Sequence, residues 1–487
     1  MLDQIKKLEP ESRKLEPTPE QRDAWNTGVQ QYANDFLNEI YDRKAYQTSE
    51  DYGKALLNLP ITDDPKSLEH LLPLLKENVD DIGLNPAASG HFGYVPGGGV
   101  FPSALGDYLA AVSNRYAGIF FGSPGAVRLE NQLIRWMCQM VGYPDGSLGN
   151  LASGGSIANL IAITTARDFK QIKSKDIENA VIYMTPQIHH CVNKALRIAG
   201  LREAQIHYVP MDAHFRMNAE VLRSMVQLDL QNNLKPFLVV ASAGTTDTGA
   251  MDPLDKIANV AQEFDLWFHV DAAYGGFFML VDEFKPAFKG IERSDSVAID
   301  PHKGLFLPYG IGAILVKNVE AAFNAHNYVA NYMQDALKLA EELSPADLSP
   351  ELTKHFRGLR MWMPLHLLGL APFKAALAEK IWLCRYFYEK IQELGFEVGP
   401  YPDLSIMIYR YVPEQGDINV FNEKLVEYVQ QDGRVFLSST KIEGEFWIRL
   451  AVLCFRSHLR EVDLCLEILS EGVQQLKKSK SKTLAMQ

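Results

Sequence analysis

The stretch AIDPHKGLFLPYG, Ala298 to Gly310, carries an acid, an imidazole and an amine in Asp300, His302 and Lys303, at the end of an apolar, strand-like run. Leu305, Phe306 and Leu307 follow at once. A lysine in such company is either an awkward surface residue or an amine kept out of water. Among apolar neighbours it loses part of its preference for the charged form, which makes it a better nucleophile. A second apolar run, WFHVDAAYGG, ends on Asp271 and Ala273, and a third, FLVVASAGTTDTG, on Ser242, Thr245 and Thr246. In parallel sheets ligands sit beyond the carboxyl ends of the strands, so these polar residues are expected to face one cavity. LASGGSIANLIAI adds a turn opening a helix. There Gly154, Gly155 and Ser156 would present backbone N–H groups and a hydroxyl to a phosphate.

Pyridoxal phosphate needs such a set: a lysine to form an imine, an acid to keep the ring nitrogen protonated, an anion cradle and a flat group over the ring. Lys303, Asp271, the 154–156 turn and a histidine would fill those needs. Singly, each residue has a plainer reading. A lysine after a strand is ordinarily a solvated loop residue, and an aspartate there caps a turn. The joint pattern outweighs this for Lys303 and Asp271. Hydroxyls at strand and helix ends often only cap, which leaves Thr246 and Ser156 more open. His269, inside the strand before Asp271, reads as a satisfied core histidine, and His190 as packing or surface. The histidines show no HExxH-like spacing, so no metal site is expected.

These residues need a frame to hold them. From about Phe101, helical stretches alternate with apolar segments at 180–185, 237–242, 267–272, 296–300 and 312–317. Near-continuous apolar strands between helices predict an α/β domain on a mostly parallel buried sheet. From residue 371 the texture shifts to DLSIMIYRYV and FWIRLAVLCF between helices, a smaller α+β C-terminal domain. The expected division is an N-terminal helical segment over 1–99, a large domain over 100–370 and a small one over 371–487. Near the start, Thr18 as N-cap, Pro19 and Gln21 make a capping box. Trp25, Val29, Tyr32, Phe36 and Ile40 then mark one apolar helical face, to be packed on a second subunit or on its own domain. The Gly- and Pro-rich run 89–106 lacks a preceding strand and dinucleotide-fingerprint spacing, and reads as a crossing between domains.

A length of 487 residues exceeds what one core organises. The net charge of -12 argues against nucleic acid or an anionic membrane as partner. No long apolar run predicts a membrane span, and the charged N-terminus lacks a signal-peptide core. Cys138, Cys191, Cys384, Cys454 and Cys465 form no CxxC pair and read as reduced, buried thiols of a cytoplasmic enzyme.

VDAAYGG followed by DSVAIDPHKG resembles the group II pyridoxal-phosphate-dependent amino acid decarboxylases, which include the aromatic L-amino acid, histidine and glutamate decarboxylases. SPGAVRLENQLIRWMCQMVGYP, QIHHCVNKALRIAG, AGTTDTGAMDPL, HFRGLRMWMPLHLLG and IRLAVLCFR extend the likeness in the family's order, over roughly residues 80–460. The resemblance implies the aspartate aminotransferase-like type I fold and a cytoplasmic homodimer with shared active sites. It implies that Lys303 forms the cofactor imine, Asp271 pairs with the ring nitrogen, His189 stacks on the ring and relays a proton, and Ala273 lies under the opposite face. Thr246 would sit near the phenolic oxygen and the substrate. Gly154, Gly155, Ser156, Asp300 and His302 would flank the phosphate and the lysine. Arg449 matches an arginine near the substrate carboxylate, though a structural ion pair is equally consistent. Tyr94, Pro96 and Thr353 fall at substrate-linked positions, and 117–123 would reach the pocket from the partner chain.

Two departures stand out. Gly304 replaces a bulky residue, which suggests a pocket of different shape or one filled by neighbours. The segment 333–354 lacks the family's proton-donating tyrosine, with Tyr332 just upstream and His189 as another donor. The implied activity is decarboxylation of an L-amino acid, aromatic by resemblance, to its amine. The alternatives are an acidic substrate, oxidative decarboxylation to an aldehyde, carbon–carbon lysis, or a silent binding protein. The full Lys303, Asp271 and His189 set argues against the last.

Overall fold

The computed structural model describes residues 1–328 and 342–485. Seven strands form the main sheet: β1 (Leu148–Ala152), β2 (Ala180–Met184), β3 (Gln205–Tyr208), β4 (Lys235–Ser242), β5 (Trp267–Asp271), β6 (Ser296–Ile299) and β7 (Gly312–Val316). Their order is β1-β7-β6-β5-β4-β2-β3. β7 runs antiparallel to both neighbours and the other pairs are parallel. Every residue of β2, β5, β6 and β7 is buried, which is why these segments read as unbroken apolar runs. β1, LGNLA, has no β-branched residue, and β3 is a half-exposed edge, so neither stood out from its sequence.

A second, antiparallel sheet follows, with β8 (Phe396–Val398), β9 (Ile406–Tyr411), β10 (Ser438–Ile442) and β11 (Glu445–Ala451) in the order β8-β9-β11-β10. Helices Ala371–Glu393, Ile418–Asp432 and Leu459–Ala485 accompany it, and Phe387, Tyr409, Leu425, Ile448 and Leu469 share its core. The Gly-rich run ties the two sheets together. Phe92 N–H donates to the Phe436 carbonyl at 2.9 Å and Val100 N–H to the Phe306 carbonyl at 2.8 Å. Gly97 passes so close that a Cβ there would lie 2.1 Å from the His302 carbonyl oxygen, a contact only glycine permits.

At the N-terminus the Thr18 and Gln21 capping box forms, opening helix Pro19–Asn38. That helix buries none of its residues within this chain, and Trp25 and Val29 stand half exposed. Helix Phe101–Ser113 likewise shows Phe101, Leu105, Tyr108, Leu109 and Val112 to solvent along one stripe. Among the described residues, no helix is long and apolar enough to cross a membrane.

Candidate active site

Sheet register brings the polar strand ends together. Ser242 lies opposite Asp271, and Asp271 opposite Ala298. Two residues past Ala298 the chain reaches Asp300, N-cap of the single-turn helix Pro301–Gly304, which carries Lys303. After β1 the 153–154 turn opens helix Gly155–Phe169. These ends enclose a cavity of about 390 Å³, lined by Gly154, Gly155, Ser156, His189, Thr246, Asp271, Ala273, Asp300, His302 and Lys303.

The Lys303 amine sits 3.2 Å from Asp300 Oδ2. Burial pushes it toward neutrality, but the Asp300 and Asp271 carboxylates outweigh that push and hold it above the ordinary lysine value. The expectation drawn from its apolar neighbours is therefore corrected: the two carboxylates favour a charged amine, with Asp300 as its counter-ion. Two fully enclosed lysines serve as internal contrasts. Lys354 is closed in by Glu130 at 2.8 Å, Asn150 at 2.9 Å and the Leu151 carbonyl at 3.3 Å. Lys380 is held by Glu379 at 2.8 Å and the Ser457 carbonyl. Lys303 is the one of these three that opens on the cavity.

Asp271 Oδ1 accepts from Ala273 N–H at 3.1 Å, and Oδ2 from the Asn159 amide at 3.3 Å. His189 caps helix His190–Ile198, its Nδ1 accepting from Cys191 N–H at 3.3 Å. Burial lowers the pKa of this imidazole, so its neutral form carries the proton on Nε2. His302 Nδ1 donates to the Ile311 carbonyl at 2.5 Å. The glycines make the opposite wall thin: a Cβ on Gly155 would come within 2.9 Å of Asp300 Oδ2 and 3.3 Å of Ala273 Cβ. The first N–H groups of that helix have no intrahelical acceptor and are free for an anion. Asp300 Oδ1 is buried without a hydrogen-bond partner, a polar atom in want of a ligand. An amine, an acid, a stacking ring and an anion cradle around one cavity fit pyridoxal phosphate.

The family profile described as "Pyridoxal-dependent decarboxylase conserved domain" matches residues 51–412. The chain belongs to this family. An aromatic-L-amino-acid decarboxylase from Bacillus atrophaeus is 33% identical over 407 residues, 82% of this chain and 83% of that one. A phenylacetaldehyde synthase from Petunia hybrida is 28% identical over 426 residues, 80% and 84% of the two chains. A crystal structure of Oryza sativa TDC with PLP and tryptamine superposes with a TM-score of 0.89 at 22% identity, over 95% of this chain and 99% of that one. The fold is thus type I, with its large mostly parallel sheet and small C-terminal domain. The cofactor is pyridoxal phosphate, and the enzyme class is the carboxy-lyases acting on amino acids.

Other residues read from the sequence stand away from the cavity. Tyr94 is 57% exposed beside Phe436, Pro96 is buried in the glycine-rich run, and Thr353 is exposed. Arg449 is buried, but its partners are the Thr246 carbonyl, the Asp247 carbonyl at 3.0 Å and Ser438 Oγ at 2.8 Å. It pins the loop bearing Thr246 and, among the described residues, has no carboxylate for a hydrogen-bond partner. Of the two expectations for Gly304, a pocket of different shape or one filled by neighbours, the structure favours the second. A Cβ there would lie 2.7 Å from Phe277 Cβ, so position 304 faces the core, already filled by that ring. His190 is exposed and tilted against His189. Tyr332 and residues 333–341 lie outside the described residues. Sequence reading missed Asn159, Cys191 and Tyr309, all on the cavity wall. For Asn159 the signal was present: a polar residue four positions past Gly155, one helical turn on, in an otherwise apolar run.

Proposed function

We propose that this protein is a homodimeric decarboxylase that converts an L-amino acid, with an aromatic side chain preferred, to its amine and carbon dioxide. The observation that carries the reading is that Lys303, Asp271 and the 154–156 cradle converge on one cavity, in a chain 33% identical to an aromatic-L-amino-acid decarboxylase. Pyridoxal phosphate, when bound, supplies a conjugated ring that accepts the electron pair left when a bond to the α-carbon breaks.

The chain's own residues then divide the work. The N–H groups of Gly155 and Ser156 would hold the phosphate, with His302 braced on the same side by the Ile311 carbonyl. Lys303 would anchor the cofactor covalently and be displaced by the substrate amine. Asp271, with two donors on its oxygens, would face the ring nitrogen as a carboxylate. His189 would cover one ring face and Ala273 the other, and the His189 Nε2–H is the proton donor we assign to the α-carbon. Thr246 would orient the substrate from a loop that Arg449 holds from behind. For the dimer, the bare stripe Phe101, Leu105, Tyr108, Leu109 and Val112 and the uncovered N-terminal helix supply apolar surface of the kind that subunits bury. We take residues 1–99 as a segment that packs on the partner, 100–370 and 371–487 as the two domains, and the cytoplasm as the enzyme's compartment.

A panel of L-amino acids assayed for carbon dioxide, amine and aldehyde together tests the proposal. Equal carbon dioxide and amine from tyrosine, tryptophan or phenylalanine is expected. Carbon dioxide from no substrate sinks it. A second reading has its own support: 333–354 has no tyrosine, and one relative is an aldehyde synthase. In that version molecular oxygen is consumed and aldehyde appears with ammonia and hydrogen peroxide, all of which the same panel detects.

A further inference from the structure

A row of polar side chains lies behind the cavity, and all of its members are buried: Trp267, Ser296, His269, Asn159 and Asp271. Trp267 Nε1 is 2.9 Å from Ser296 Oγ, and Ser296 Oγ is 2.9 Å from His269 Nδ1. His269 Nε2 is 2.8 Å from Asn159 Oδ1, and Asn159 Nδ2 is 3.3 Å from Asp271 Oδ2. The same Asn159 nitrogen lies 2.9 Å from the Gly155 carbonyl and 3.5 Å from Cys191 Sγ.

The protons follow from which atoms can donate. An indole N–H only donates, so Ser296 Oγ accepts from Trp267. The Gly155 carbonyl and an ionised Asp271 only accept, so the nitrogen of the Asn159 amide faces them and its oxygen faces His269. That oxygen only accepts, so His269 Nε2 carries a hydrogen. Burial holds the His269 pKa down to about 4, which leaves the ring neutral, Nδ1 bare, and the Ser296 hydroxyl donating to it. The Ser296 carbonyl, 3.2 Å from Nδ1, is the rival partner. Choosing it would strip Nε2 and turn the Asn159 oxygen against two other oxygens. The row is therefore polarised in one direction, from Trp267 to Asp271.

We propose that Asn159, oriented by His269 and Ser296, is a positioning residue for Asp271, stabilising its carboxylate so that the proton shared with the cofactor's ring nitrogen stays on nitrogen. The inference rests on Asp271 facing that nitrogen, as proposed above. Without the Asn159 donor, Oδ2 becomes more basic and draws the shared proton toward itself, which weakens the ring as an electron acceptor. The other titratable groups that face Asp271 are Lys303, His189, Cys191 and His269. Because Asn159 also grips the Gly155 carbonyl, one side chain sets the spacing between the acid and the phosphate cradle.

The test uses holoenzyme loaded with pyridoxal phosphate labelled with nitrogen-15 in the ring, read by NMR, alongside cofactor affinity by absorbance titration. Asp271→Asn is expected to move the nitrogen resonance to the unprotonated position. Asn159→Leu should move it the same way and weaken cofactor binding about tenfold, the scale of one charge-assisted hydrogen bond. His269→Leu should shift it, whereas His269→Gln, able to donate to Asn159 and accept from Ser296, should restore it. A resonance and affinity unchanged in Asn159→Leu, with Asp271→Asn shifted, overturns the inference and leaves the proposed function standing. A resonance unmoved by Asp271→Asn overturns the assigned role of Asp271 itself. If Asn159→Leu does not fold, Ser296→Ala reads the same resonance two links back, where a smaller shift in the same direction is expected and no shift counts against the proposal.

Discussion

The floor of the cavity and its rim are built to different degrees by one chain. On the floor, Asp271 has two donors, His189 is fixed by a backbone N–H, and Lys303 has its counter-ion, all within the chain. On the rim, Tyr94 and Thr353 stand in solvent, Phe121 is half exposed, and the 101–112 stripe is bare. Cofactor capture is therefore expected to belong to the folded chain, while substrate selection waits on a second surface.

The sharpest way to break this contrast is on the floor. Lys303→Ala should abolish the lysine-dependent absorbance band and all turnover, with the fold retained by circular dichroism; a surviving band would remove Lys303 from its role. Asp271→Asn should lower kcat by about 10²–10³-fold, the scale of a lost electrostatic partner to the reacting charge, measured by steady-state kinetics. On the rim, Leu109→Glu should yield a monomer by light scattering. That monomer is expected to hold the cofactor yet turn over poorly; full activity in the monomer would erase the distinction.

Asp300→Asn sharpens the account of the amine. Asp300 holds the Lys303 pKa up, so its loss lets burial pull that value down. Apo-protein carrying the change should capture pyridoxal phosphate faster at neutral pH, with the midpoint of the rate profile moved to lower pH; an unmoved midpoint would leave Asp300 no part in the lysine's charge. Gly304→Ala has the smallest expected effect on chemistry. Its methyl meets Phe277 rather than substrate, so stability should fall by about 1–3 kcal/mol in urea unfolding while kcat/KM of the folded fraction holds. Altered substrate choice would restore position 304 to the pocket.

Stability should also fall with acid. His269 and His91 are fully buried and titrate near 4 when folded, against about 6.5 unfolded. Below 6.5 the unfolded state binds more protons, so folding weakens as the pH drops toward 4. Asp252, raised by burial to about 6, opposes this together with Asp295 and Asp347, but burial lowers His189, His302, His326 and His355 as well as the first two histidines. Urea midpoints between pH 4 and 7 give the sign.

Much of the floor was legible because its residues follow unbroken apolar strands, and a buried parallel sheet leaves polar groups nowhere else to collect. What escaped lay in three dimensions. The charge on Lys303 was misjudged from its neighbours in sequence, Leu305 to Leu307, when Asp300 sits 3.2 Å away. The direction of Gly304 depends on how a single helical turn is rotated against Phe277. Asn159 reads as the interior of an apolar helix until His269 and Asp271 are placed on either side of it.

The central claim, that Lys303 and neither of the buried lysines Lys354 and Lys380 carries the cofactor, is tested most directly by reduction. Holoenzyme treated with borohydride, digested and mapped by mass spectrometry should show one pyridoxyl-phosphate adduct, on the peptide containing IDPHKG. An adduct on Lys354 or Lys380 instead, or none on any lysine, would contradict it.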